Sequence, residues 1–204
     1  MKSNKIIIGI TGGIASGKSL VSSIIKELGY DLVDADIISR EITSRSSKVL
    51  VMLQKEFGDD ILSPQGMLDR KRLATIVFDS DEKRKALEGI VTEEIKREAE
   101  KRLTLLKRRT TKKLIFLDAP TLFESGSEFL VDYVWMVTAP LKTRLNRAVL
   151  RDGSTEYDVI SRMKAQLGDD EKIRMSDEII NNSGTKEMLK DKVVSLIAKY
   201  EEKC

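Results

Sequence analysis

Residues Gly12 to Ser19 read Gly-Gly-Ile-Ala-Ser-Gly-Lys-Ser and fit the pattern G-x-x-x-x-G-K-[ST] without a mismatch. That spacing does phosphate chemistry. Gly12, Gly13 and Gly17 carry no Cβ, so the backbone can curl and bring its N–H groups up to phosphate oxygens. Ile14, Ala15 and Ser16 complete the turn and add their own N–H groups to it. Lys18 supplies a full positive charge for the β- and γ-phosphates of a nucleotide, and Ser19 offers a hydroxyl to Mg²⁺.

Other residues have the types that phosphoryl transfer needs. Transfer to an alcohol requires a group that accepts or orients its proton, and Asp34-Ala35-Asp36 supplies two carboxylates behind a short apolar run. Asp36 is assigned the proton and Asp34 a place near the metal, although either can instead cap the helix that follows. Arg40 lies one helical turn beyond Asp36, within reach of that carboxylate or of a phosphate. Leu117-Asp118 closes another apolar run on a carboxylate, the position from which an Asp holds Mg²⁺ directly or through water. Glu124 follows six residues later. Arg144, Arg147 and Arg151 step by three and four, so they share one helix face and can close over a transferring phosphate.

These groups need a frame that brings them together. Ile6-Ile7-Ile8-Gly9-Ile10 reads as a buried strand, and Val21, Ile24, Ile25 and Leu28 recur at helical spacing before Gly29. The glycine loop therefore joins a strand to a helix N-terminus, where unpaired N–H groups and the helix dipole favour an anion. Further strands are predicted at Asp31–Asp34, Lys113–Leu117, Tyr133–Val137 and Glu178–Ile180, with the first starting at Lys5. Strands alternating with helices imply a parallel sheet covered on both faces. The gap before the third strand is helical: Val49, Leu50, Leu53 and Phe57 share a face. Leu87, Ile90, Val91, Ile95, Ala99, Leu103 and Leu106 form one long stripe. One domain is expected, with its core at about residues 1–39, 109–138 and 171–204. A helical substrate-binding insertion is expected at about 40–108 and a charged helical lid at about 139–170.

Composition excludes several classes. The chain of 204 residues has no histidine, which removes histidine bases, Ser-His-Asp triads and most zinc sites. Charged residues are 34% of the chain, yet the net charge is only +3 and the signs are interspersed, so no nucleic-acid partner is expected. No apolar stretch is long enough for a membrane span. The one cysteine, Cys204, permits no internal disulfide, which suits a cytoplasmic protein.

Taken together these segments resemble the dephospho-CoA kinase family over nearly the whole chain. Thr11 to Ser19 is similar to its phosphate loop, and Asp34-Ala35-Asp36 with Arg40 is similar to its D-A-D-x-x-x-R segment. Phe57-Gly58, Asp69-Arg70 with Leu73, and Val77-Phe78 resemble its helical CoA-binding part. Ala119-Pro120-Thr121-Leu122-Phe123-Glu124 resembles its P-L-L-[FI]-E segment. Arg147, Arg151, Gln166 and Ile180-Asn181-Asn182-Ser183-Gly184 resemble its lid and adenine-side segment. The chain departs from the family at Val91-Thr92-Glu93-Glu94, where a His-Pro pair is usual, and at Thr121, Arg144 and Ser176, where Leu, Gln and Ala are common.

The resemblance implies a P-loop α/β kinase with a five-stranded parallel sheet. Its substrates would be ATP and dephospho-CoA, with Mg²⁺ as cofactor. It implies that Asp36, Lys18, Arg147 and Arg151 are catalytic, and that Gly12 to Ser19 with Asn182 binds ATP. Asp34, Asp36, Arg40, Pro120, Leu122 and Glu124 would face the acceptor, and Ser19 and Asp118 the metal. Two alternatives stay open at this point: another nucleoside or nucleotide kinase of the same class, and a non-catalytic nucleotide-binding module. A GTPase-type switch would need an N-K-x-D segment, and Asn181-Asn182-Ser183-Gly184 lacks both the Lys and the Asp.

Overall fold

The computed structural model describes residues 5–44, 47–78 and 80–204. Five strands form one parallel sheet: β1 (Ile6–Gly12), β2 (Asp31–Asp34), β3 (Leu114–Asp118), β4 (Tyr133–Thr138) and β5 (Glu178–Asn181), in the order β2-β3-β1-β4-β5. Every strand end lies within two residues of its predicted position. All residues of β1 and β3 are buried, as expected of parallel strands covered on both faces.

The register positions the chemistry. Ile10 of β1 lies beside Asp118 of β3, and Thr11 beside Met136 of β4. The carboxylate that ends β3 is therefore set next to the place where β1 gives way to the glycine loop. Ligands bind at such carboxyl ends in open α/β sheets.

Among the described residues the helices are α1 (Lys18–Glu27), α2 (Ala35–Ile42), α3 (Lys48–Phe57), α4 (Arg70–Phe78), α5 (Asp81–Arg109), α6 (Leu141–Asp152), α7 (Glu156–Lys164), α8 (Asp169–Arg174) and α9 (Lys186–Glu201). The chain forms two compact units, one of Met1–Val33 with Arg102–Cys204 and one of Asp34–Lys101.

In the first unit, α1 and α9 cover the sheet. Val21, Ile24 and Ile25 meet Leu189, Val193 and Tyr200 over Phe116 and Trp135. Trp135 stands edge-on to both Phe116 and Tyr200, with ring centroids 5.6 and 5.5 Å away. Each of the fully buried aliphatic side chains contributes about 1.5–3 kcal/mol, so the frame beneath the loop is rigid. Helices α6, α7 and α8 make up the predicted charged region, with α8 crossing the expected boundary near residue 170. Helix α6 stops at Gly153, whose φ of +62° suits a left-handed cap, and α7 opens with a reciprocal Thr155–Asp158 capping box.

The second unit has its own core of Val49, Leu53, Ile61, Leu73 and Val77, against which Leu87, Ile90 and Val91 of α5 pack. The long stripe is thus a single helix of 29 residues, whose first half serves this core. An apolar cavity of about 320 Å³ lies within the unit, lined by Leu53, Leu73, Val77 and Leu87 with Arg70 and Glu88. No helix among the described residues is long and apolar enough to cross a membrane.

Candidate active site

The glycine loop is held in a conformation few side chains tolerate. The Ser16 N–H donates to the Gly13 carbonyl at 3.1 Å and closes the turn. Ala15 has a φ of +57°, and it is the only non-glycine residue with positive φ among those described. Such strain costs on the order of 1–3 kcal/mol and persists where the surrounding structure over-determines it. Helix α1 starts from Gly17 with no side-chain cap and no acidic residue in its first turn. Its leading N–H groups therefore remain available to an anion.

Charge is placed around this loop. Lys18 pairs with Oδ1 of Asp118, and both side chains are shielded from water. Ser22, one turn along α1, donates to Oδ2 of Asp118 at 2.5 Å. Both oxygens of this carboxylate are thus engaged, a partnership for which Ser22 had given no sequence signal. Ser19 is exposed at the start of α1. Thr11 donates to the Pro120 carbonyl at 3.2 Å, which ties the β3 loop to the end of β1.

Asn182 follows β5 and reaches the loop from its other side. Its Nδ2 donates to the Ser16 carbonyl at 2.9 Å, while its own carbonyl accepts from Nη2 of Arg147 at 3.1 Å. The side chain uses space that only a glycine leaves. A Cβ on Gly17 would lie 1.8 Å from Asn182 Nδ2, and Gly17 has a φ of +97°.

The three arginines of α6 diverge although they share a helix face. Arg144 is buried and forks onto both carboxylate oxygens of Asp169, the first residue of α8. Its guanidinium lies against Gly13. Arg147 is committed to Asn182. Arg151 is exposed and bonds the neighbouring Asp152 at 2.7 and 3.0 Å. The Arg151 guanidinium, with Arg162 of α7, holds the Asp152 carboxyl well below the usual carboxylate range. Spacing alone did not separate Arg144 from the other two, because its partner lies 25 residues away.

Two residues expected on the acceptor side have partners inside the protein. Leu122 is fully buried and packs on Gly9 of β1, so it shapes the core beneath the site and presents no surface to a substrate. Glu124 was expected to face the acceptor. Its Oε1 instead takes the ammonium of Lys172 at 2.5 Å and the Leu167 N–H at 3.2 Å. Lys172 is completely buried, and a buried cation demands a paired carboxylate. Glu124 therefore fastens the α7–α8 segment to the β3 loop.

A cavity of about 700 Å³ opens beside Gly13 between these elements, lined by Leu141, Ile160, Met163, Arg144, Gln166 and Asp169 among others. Among the buried polar atoms of the loop and of α6 and α8, Ser16 Oγ, Arg144 Nε, Arg147 Nη1 and Lys172 Nζ lack hydrogen-bond partners, the last being ion-paired with Glu124. Donors and hydroxyls left this way suit a ligand rich in acceptors.

A family model described as dephospho-CoA kinase matches residues 6–187. The dephospho-CoA kinase of Carboxydothermus hydrogenoformans is 37% identical over 199 residues, covering 97% of this chain and 95% of that protein. The chain belongs to the dephospho-CoA kinase family. A solved Thermus thermophilus structure is 34% identical, superposes with a TM-score of 0.80, and is covered to 97% by 96% of this chain. The Campylobacter jejuni dephospho-CoA kinase is 26% identical with a TM-score of 0.73 over the same shares of each chain. The protein is accordingly a kinase with a P-loop fold, and ATP is a substrate of such an enzyme.

Asp34-Ala35-Asp36 opens the second compact unit. Asp34 is the N-cap of α2, and its Oδ1 accepts from the N–H groups of Asp36 and Ile37 at 2.9 and 3.1 Å. One oxygen of Asp34 is therefore spent on the helix. Asp36 is exposed in the first turn, and its carboxylate has no hydrogen-bond or ion-pair partner among the described residues. Arg40, also exposed, makes no ion pair with it.

For a kinase of this family, Gly17→Ala should weaken ATP binding roughly ten- to a hundredfold, the equivalent of about 1–3 kcal/mol of backbone strain. The added methyl must also push Asn182 off Ser16. Titration calorimetry with ATP checks this, and an unchanged dissociation constant would show that the loop does not depend on the Gly17 conformation.

Proposed function

We propose that this enzyme transfers the γ-phosphoryl group of ATP to the ribose 3′-hydroxyl of dephospho-CoA in the cytoplasm, yielding CoA and ADP as the last step of CoA synthesis. The observation that carries the reading is the glycine loop itself, strained and uncapped, with Lys18 in it and Asn182 and Arg144 against it. In the reaction a bond forms from the 3′-oxygen to the γ-phosphorus as the bond from that phosphorus to the β–γ bridging oxygen breaks. The bridging electrons leave with ADP. The hydroxyl proton passes to Asp36, whose carboxylate is exposed and uncommitted. Arg40 is assigned to the acceptor's charge, and Pro120 to the wall beside it.

Positioning and electrostatics do most of the work in such transfers. Loop N–H groups and Lys18 hold the phosphate chain. Arg147 neutralises charge on the moving phosphoryl group, and Arg151 joins it only by leaving Asp152. The lid excludes water, which is a competing acceptor.

The residues present fit Mg²⁺. Among the described residues no group of three or more Asp, Glu, His or Cys forms a metal cage. Mg²⁺ in kinases instead takes few protein oxygens and several from phosphate and water. The Ser19 hydroxyl is the exposed hard oxygen at the loop, and Asp118, with both oxygens engaged, would act through water. Bound there, the metal would neutralise charge on the β- and γ-phosphates.

The test is an acceptor panel. ADP formation with purified protein, magnesium and ATP is measured with dephospho-CoA, nucleoside monophosphates, shikimate and gluconate. Dephospho-CoA should exceed each of the others by at least about 10²-fold in kcat/KM, the discrimination of a site that hydrogen-bonds its substrate. No ATP consumption with dephospho-CoA would overturn the reaction, and tight binding without ADP would indicate a binding module.

A further inference from the structure

We infer that Arg144 is a further cation for the transferring phosphoryl group in this chain, beside Arg147, and that Asp169 is the residue that positions it. The inference rests on the kinase reading above. Of the three arginines on the α6 face, Arg144 alone is seen to rest on the glycine loop. A Cβ on Gly13 would lie 2.2 Å from Arg144 Nη1 and 2.8 Å from Asp169 Oδ1, so the ion pair fills the space that a side chain at residue 13 would need.

Cost argues against a purely structural strut. Burying an ion pair is often no better for stability than a packed apolar pair of the same size. Here the Arg144 side chain is 7% exposed and that of Asp169 31% exposed. Asp169 therefore keeps contact with water while it holds the guanidinium from one side. Its fork engages both terminal nitrogens and fixes the plane of the group. The Nε is left without any acceptor. The same guanidinium lines the cavity of about 700 Å³ that begins at Gly13. A planar cation held in one orientation at the mouth of a phosphate-binding loop is preorganised for charge that develops during transfer. Arg147 reaches the loop through Asn182, which bonds both it and Ser16, and Arg151 is paired with Asp152, whereas the Arg144 guanidinium lies directly at Gly13.

The test uses Arg144→Ala, Arg144→Lys and Asp169→Asn in the full chain, beside wild type. Wild-type turnover on dephospho-CoA secures the underlying reading, and the ratio of each variant to wild type then judges the inference separately. Arg144→Ala should lower kcat on the order of 10²-fold while the ATP dissociation constant stays within about threefold, as for a group used in the transition state. Added guanidinium ion should restore at least about a tenth of the lost rate by entering the space left, and methylammonium should not, because a point charge lacks the planar fork. Arg144→Lys should remain impaired for the same reason. Asp169→Asn keeps the volume and should lower kcat roughly tenfold, the effect of a loosened positioning contact.

A folded Arg144→Ala protein that turns over within threefold of wild type overturns the inference. So does a loss confined to ATP affinity, or one that guanidinium leaves untouched. If Arg144→Ala does not fold, Asp169→Asn decides: a fall in kcat supports the assignment and an unchanged kcat overturns it.

Discussion

Lys18→Ala should leave a folded protein with no kinase turnover above background in a coupled ADP assay, a fall of at least about 10³-fold. The lysine is the only full positive charge on the glycine loop itself, whose other contributions are N–H dipoles. It also has a resting partner. Its ammonium is paired with Asp118, whose side chain is 5% exposed. Removing the lysine therefore leaves a nearly buried carboxylate with Ser22 as its remaining donor. Stripping one partner from a buried pair costs up to about 3–5 kcal/mol, so part of any loss could come from unfolding. Thermal melts separate the two effects. Lys18→Ala combined with Asp118→Asn removes the stranded charge, and this double variant should regain melting temperature without regaining turnover. Near-normal turnover in either folded variant would remove the loop from the mechanism.

Asp36→Asn is expected to lower kcat by at least about 10²-fold, the lower end for general acid–base effects. The structure makes this substitution clean. Asp34, not Asp36, caps α2, so the cap survives. Asp36 is exposed and its carboxylate is unpaired among the described residues, so no buried contact is lost. What remains is a favourable charge in the first turn of α2, worth about 0.3–1 kcal/mol. Stability should therefore change little while the rate collapses. Single-turnover kinetics with saturating ATP and dephospho-CoA would measure this. A loss smaller than tenfold would make Asp36 a structural carboxylate and leave the proton to another group.

Much of the fold that frames the candidate site is legible in the sequence. The phosphate loop is local: strand, glycines and helix are contiguous, and each follows from nearest-neighbour backbone preferences. The five strands were readable for the same reason, since short apolar runs between turn signals need no distant information. Asp34 as a cap was among the alternatives that position allowed, and local geometry chose it. What Leu122 and Glu124 touch was not legible, because the run Pro120-Thr121-Leu122-Phe123-Glu124 has no periodicity that says which side chains turn to the core. Burial of Leu122 against Gly9, and the pull of a buried Lys172 on Glu124, are long-range facts.

The sequence by itself determined that a glycine loop suited to a nucleotide's phosphates stands at the first strand–helix junction, because its residues are consecutive and their conformations are set within a few bonds. Only the tertiary structure decided which arginine of α6 lies directly at Gly13 of that loop. Arg144, Arg147 and Arg151 are equivalent to a helical repeat, and they differ only in the acceptors they find at Asp169, Asn182 and Asp152. Two of those acceptors come from elements 25 and 35 residues away, so their arrival is a property of packing and not of spacing.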